Sequence, residues 1–110
     1  EVNSRLVRFL NQHDFNVLNI EGLGIEAVGD IFSVTDPQLI QFCGDVAGKA
    51  QEADAILISC GGLITLDILA PVENLANLPA VSSTPHGLYE GAKLLDIKAS
   101  VPGYGSLLAG

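Results

Sequence analysis

Cys60 closes an apolar run, Ala55-Ile56-Leu57-Ile58-Ser59, and two glycines, Gly61 and Gly62, follow it. Glycines there let the backbone approach a ligand closely and turn N–H groups towards it. A helix opening after such a turn favours negative charge. That is ground for a carboxylate or an enediolate, with the thiol as the reacting group. The same thiol also reads as a small buried residue that ends a strand, because free cysteine is among the most buried residue types. Pattern alone leaves both readings open. His86, in Ser-Ser-Thr-Pro-His-Gly at 82–87, is the second candidate: it falls in the first turn of an expected helix on the same edge and would line the site.

The other reactive types read as structural. Cys43 sits on the apolar stripe of a helix, and His13 at a helix end beside Asp14. Ser82, Ser83 and Thr84 read as strand-end and capping groups, since no Ser-His-Asp order is visible. Asp67 reads as a helix-start charge. Gly-Leu-Gly at 22–24 and Gly-Tyr-Gly at 103–105 lack the spacing of a dinucleotide fingerprint, and no role is assigned to Tyr104. The two cysteines show neither a disulfide framework nor zinc spacing, so no metal is expected.

The positioning elements follow from periodicity and punctuation. Residues 2–13 predict an amphipathic helix with Val2, Leu6, Phe9 and Leu10 on one face. Phe15–Ile20 predicts a strand. Thr-Asp-Pro-Gln at 35–38 predicts a helix start, either as a capping box from Thr35 to Gln38 or with Asp36 as N-cap and Pro37 next, and the helix runs to about Glu52. Asp54–Ser59 reads as a strand buried on both faces. A helix is expected from Leu63 to about Leu69, broken or restarted at Pro71. Pro79–Ser83 predicts a third strand, and Thr84 with Pro85 opens a last helix to Leu95. Strands alternating with helices predict an α/β fold: a doubly wound parallel sheet in three layers, a single domain over 1–110. Ligands of such sheets bind beyond the carboxyl ends of the strands, where the turns at 59–63 and 82–87 fall. A chain opening on an apolar-faced helix and carrying no methionine is expected to lack its genetic start and one upstream strand.

Composition narrows the partners. Thirteen acidic against five basic residues give a formal net charge of −8. Nucleic acid and anionic membrane surfaces need a basic face and are excluded as partners on that ground. No apolar run approaches the ~20 residues of a membrane span. The cysteine usage predicts a reducing, cytoplasmic setting.

Three blocks, Ser-Cys-Gly-Gly-Leu-Ile-Thr-Leu-Asp (59–67), Pro-Ala-Val-Ser-Ser-Thr-Pro-His-Gly (79–87) and Pro-Gly-Tyr-Gly-Ser-Leu-Leu (102–108), resemble the arylmalonate decarboxylases of the aspartate/glutamate racemase superfamily. Residues 1–10 and 23–28 are similar to the same family in the same order. The resemblance implies a cofactor-free enzyme of two α/β halves with the active site between them, of which this chain is like the second. It implies that a disubstituted malonate loses CO2, that the enediolate is held by backbone and hydroxyl donors, and that Cys60 protonates it. It assigns Gly61, with Gly62 beside it, to the carboxylate, and Val28 and Ile31 to the apolar pocket of the departing group. The first half's Thr/Ser donors and a tyrosine ahead of the first helix have no counterpart in these residues. A small dicarboxylate substrate is therefore expected together with a missing N-terminal half or a second copy in a homodimer, and the isolated chain is expected to be inactive. Two alternatives remain: half of an Asp/Glu racemase or maleate isomerase-like enzyme, against which Gly61-Gly62 after the cysteine weighs, and an inactive fragment or assembly module that dimerises.

Overall fold

The computed structural model describes residues 2–23, 33–59 and 63–110. Cys60, Gly61, Gly62, Val28 and Ile31 lie outside the described residues; His86 is among them.

Helix α1 spans Val2–Gln12, as its periodicity predicts. Its apolar face is not covered by the described residues: none of its residues is buried, and Val2 and Phe9 are 77% and 56% exposed. Helix α2 spans Asp36–Gly48 and settles the choice at its start in favour of the capping box. The Thr35 hydroxyl accepts from the Gln38 backbone N–H, and the Gln38 side chain accepts from the Thr35 N–H. The helix ends at Gly48, earlier than expected, and Leu39 and Cys43 are the stripe residues it buries.

Strands β1 (Ile56–Ile58) and β2 (Ala80–Ser82) pair in parallel, Ile56 opposite Ala80 and Ile58 opposite Ser82. Between them runs a 3-10 turn at Leu66–Ile68 leading into α3 (Leu69–Ala76), and α4 (Ser83–Leu94) follows β2 without a gap. This β-α-β-α order is the α/β architecture read from the sequence. Asn77 closes α3 in the left-handed conformation (φ 58°), which asparagine tolerates.

Four expectations are corrected. Residues 15–20 form no strand: a strand exists only by pairing, and no ladder reaches them among the described residues, where the sheet has two strands. Asn19 is tied to α2 instead, donating to the Val46 carbonyl at 3.1 Å. β1 is covered on one face, with Ile58 buried and Leu57 47% exposed. Residues 63–65 are not helical, and among the described residues helix resumes after β1 at Leu66 rather than Leu63; Pro71 falls in the first turn of α3, where its missing N–H breaks no helical bond. Helix α4 begins at Ser83 with Ser82 at the N-cap position, ahead of the expected Thr84.

The core gathers Leu39 and Cys43 of α2, Ile58 of β1, Ile68, Leu69 and Val72 around α3, Ala80 of β2, and Leu108. α2 packs on α3, and α3 and α4 pack on β2. Ile68, Leu69 and Val72 are fully buried, each a gain of about 1.5–3 kcal/mol over exposure.

Candidate functional site at the carboxyl ends of the strands

Because β1 and β2 run parallel, their carboxyl ends share one edge, and Ile58 and Ser82 end them side by side. Ser82 and Thr65 are buried, and their hydroxyls bond each other. Ser82 stands at the N-cap of α4, yet its side chain caps nothing there. Ser83 extends across to β1: its hydroxyl donates to the Ile58 carbonyl at 3.3 Å.

His86 is half-buried in the first turn of α4. Its Nδ1 lies 2.9 Å from the Ser82 backbone nitrogen and 3.1 Å from the Ser82 carbonyl oxygen. The Ser82 carbonyl, as the N-cap carbonyl, also serves the first helical bond, while the Ser82 N–H donates to the imidazole. Nδ1 therefore accepts, and the neutral ring carries its proton on Nε2. That Nε2 is buried and has no hydrogen-bond partner among the described residues. An N–H donor is thus held at the strand-end edge, which a ligand oxygen would satisfy.

The sequence places His86 on this edge, and the structure agrees. It does not bring His86 together with the other candidates, which fall outside the described residues. What sequence reasoning missed is the Thr65–Ser82 pair: Ser82 has the residue type of a helix cap, and nothing local in the chain marks Thr65 as its partner. The signal was faint, a threonine in an otherwise apolar stretch.

The remaining candidates lie elsewhere. Cys43 is buried in the core, and burial pushes its thiol up from the ordinary value, which suits an inert group. His13 packs against Phe9, ring centres 4.6 Å apart and planes tilted by 51°, at the exposed end of α1. A concavity of about 620 Å³ at the amino end of α2, lined by Leu23, Val34, Pro37 and Phe42, contains neither His86 nor a strand end. No cluster of three or more His, Cys, Asp or Glu side chains able to hold a metal occurs among the described residues. None of their helices is long and apolar enough to cross a membrane.

The tail at 101–108 is fastened away from this edge. Glu73 of α3 accepts from the Ala80 N–H at the amino end of β2 (2.8 Å) and from the Ser106 N–H (2.8 Å) and hydroxyl (3.1 Å). Gly105, at φ +98°, passes so close that an added Cβ would sit 3.3 Å from the Glu73 carboxylate. Tyr104 packs against the core, and Leu108 is buried within it.

Comparison with known proteins gives one consistent result. The family model described as arylmalonate decarboxylase matches residues 1–108. The arylmalonate decarboxylase of Bordetella bronchiseptica is 37% identical over 108 residues, covering 97% of this chain and 45% of that protein. A glycine-to-cysteine mutant of arylmalonate decarboxylase in a sulfate-associated form superposes with a TM-score of 0.92 at 36% identity, over 99% of this chain and 47% of that one. A crystal structure of arylmalonate decarboxylase gives 0.90 at 37% identity, over 98% and 48%. The chain spans about half the length of the relatives it matches.

Proposed function

This chain belongs to the arylmalonate decarboxylase family, and we propose that it is the thiol-bearing half of a cofactor-independent decarboxylase acting on disubstituted malonates. The observation that carries the proposal is the match across 1–108 of a chain whose Ser-Cys-Gly-Gly-Leu block directly follows β1. In the reaction, the bond from the quaternary carbon to one carboxylate breaks and CO2 leaves. The electron pair moves into the remaining carboxyl group as an enediolate. The Cys60 thiol then gives its proton to the carbon, and the thiolate recovers a proton from solvent.

Negative charge grows on the enediolate oxygens, so preorganised donors supply most of the stabilisation. The N–H groups at Gly61 and Gly62 and the Nε2–H of His86 are the donors we assign from this half. Val28 and Ile31 line the apolar pocket. A proton donor must rest as the thiol, whereas a helix start beside it would lower its pKa. Among the described residues after β1, 63–65 are not helical and helix begins at Leu66.

Residues 1–110 act in this reading as one α/β domain of a doubly wound sheet, completed by a strand from outside them. The uncovered apolar side chains of α1 (Val2, Phe9), β1 (Leu57) and α4 (Leu88, Leu94) support a partner of similar size, the complementary first half. A second copy of the chain is the competing occupant.

Solution mass and CO2 release from 2-methyl-2-phenylmalonate, whose decarboxylation product is chiral, test the proposal, measured on the chain alone and joined to a complementary half. Decarboxylation is expected only in the joined form. Cys60→Ala there should lower turnover by about 10²- to 10⁴-fold, the range of a lost general acid. An active homodimer would instead make the second copy the partner. Full turnover of Cys60→Ala, with racemic product, would remove Cys60 as sole proton donor.

A further inference from the structure

Helix α4 carries two interior glycines that no contact among the described residues asks for. Gly87 and Gly91 lie within Ser83–Leu94, and glycine is the poorest helix former apart from proline. A Cβ added at either would meet nothing within 4 Å among the described residues. Gly44 of α2 is different. A Cβ there would fall 2.5 Å from the Leu75 side chain, so that glycine is what lets α2 and α3 pack as closely as they do. Gly87 and Gly91 have the same use only if a helix from outside the described residues lies on α4.

The face they share fits that use. Residues four apart stack on one side of a helix, which places Gly87 over Gly91. Pro85 and Tyr89 take the opposite side, where Tyr89 packs against the core. Leu88, Leu94 and Leu95 border the glycines and are 72%, 87% and 73% exposed. Small residues at this spacing between apolar neighbours let two helix backbones come close. At 12 residues α4 is well short of the ~20 that span a membrane. Its lysine, Lys93, is paired with Glu90 rather than presented to an anionic surface.

Two observations identify the occupant. The Bordetella relative matches 97% of this chain with 45% of its own length, so in a joined protein a body of similar size has to rest on this one. Helix α4 also starts at the strand-end edge, since Ser83 follows the last residue of β2. A helix laid along its outward face therefore belongs to whatever closes that edge. We propose that the outward face of α4 is a docking seam: a helix of the complementary half crosses Gly87 and Gly91, and Leu88, Leu94 and Leu95 pack against its sides. The proposal rests on the reading of the chain as one half of a two-part enzyme. It adds where, and through which residues, the other part is held.

The test is a change of sign. Gly87→Ala and Gly91→Ala are introduced together, in the chain alone and in a joined protein where this chain replaces the matched part of the Bordetella decarboxylase. In the chain alone both methyls enter open space and alanine favours the helix, so Tm should rise by about 6 °C. In the joined protein the same methyls overpack the seam, and Tm should fall by about 4 °C. With the two parts mixed as separate chains, the variant should bind at least about tenfold more weakly. Gly48→Ala, equally open but at the end of α2, should leave that affinity within about twofold, because it is off the seam. A rise in Tm in both forms, or failure of the parts to associate in either format, would overturn the seam. A dimer of the chain alone, seen by sedimentation and dissolved by the variant, would give the face to a second copy and overturn the assignment. If the joined protein shows the change of sign and releases no CO2, the decarboxylase reading fails and the seam stands; CO2 release without the change of sign does the reverse.

Discussion

Replacing Glu73 by alanine should loosen the whole carboxyl-terminal segment. Its carboxylate accepts three hydrogen bonds, from the Ala80 N–H and from the Ser106 N–H and hydroxyl. The losses are unequal. Ser106 is exposed, so water recovers its two donors and each bond is worth about 0.5 kcal/mol, the low end of the range. Ala80 is fully buried, and its orphaned N–H costs about 2 kcal/mol. The sum is about 3 kcal/mol before any undocking of Leu108, which at 4% exposure depends on the same tail. For a domain of this size that corresponds to a fall in Tm of about 12 °C. Urea unfolding of the two proteins is the assay, with an unchanged m-value as the check that the unfolded states match. Glu73→Gln keeps one acceptor oxygen and should lose about 1 kcal/mol, the charge assistance of the bonds. A Glu73→Ala protein within about 0.5 kcal/mol of the original, the scale of an ordinary surface substitution, would refute the view that this carboxylate joins the tail to β2.

Three further outcomes follow from the same geometry. Gly105→Ala should destabilise by at least about 1 kcal/mol, because φ +98° strains any Cβ and the new atom meets Glu73 and Leu69; thermal unfolding measures it. The folded-state pKa of Cys43 is raised by burial, so its contribution is complete below the unfolded thiol pKa and is lost as pH rises through the folded one; urea midpoints across that range should fall with pH in the original chain and more shallowly in Cys43→Ala. Nitrogen NMR of labelled histidine should find neutral His86 with its proton on Nε2, and a proton on Nδ1 would show that the ring donates to the Ser82 carbonyl instead.

Elements with their own local signals were legible in the sequence. Thr35 and Gln38 fixed the start of α2 because both halves of a capping box lie within four residues. The run around Ile56–Ile58 and the one ending at Ser82 read as strands, and their separation by a helix implied parallel pairing, which the register of Ile58 on Ser82 bears out. Phe15–Ile20 carries an equally strand-like composition and forms none. β propensity describes fitness for a pleated surface, and realising it needs a ladder that these residues do not meet among those described. The start of α4 was displaced for a related reason. Local rules choose Thr84 before Pro85 as cap, but β2 runs straight into the helix and leaves Ser82 at the boundary.

The strand-end edge shows where local reasoning stops. His86 was legible because it stands in a helix's first turn after a strand, a position set by neighbours in sequence. The Thr65–Ser82 pair was not, because the partners are 17 residues apart and meet only once α3 has packed on β2. A serine reads as a cap until its hydroxyl is seen bonded elsewhere. Thr65 meets Ser82 just before the chain turns helical at Leu66.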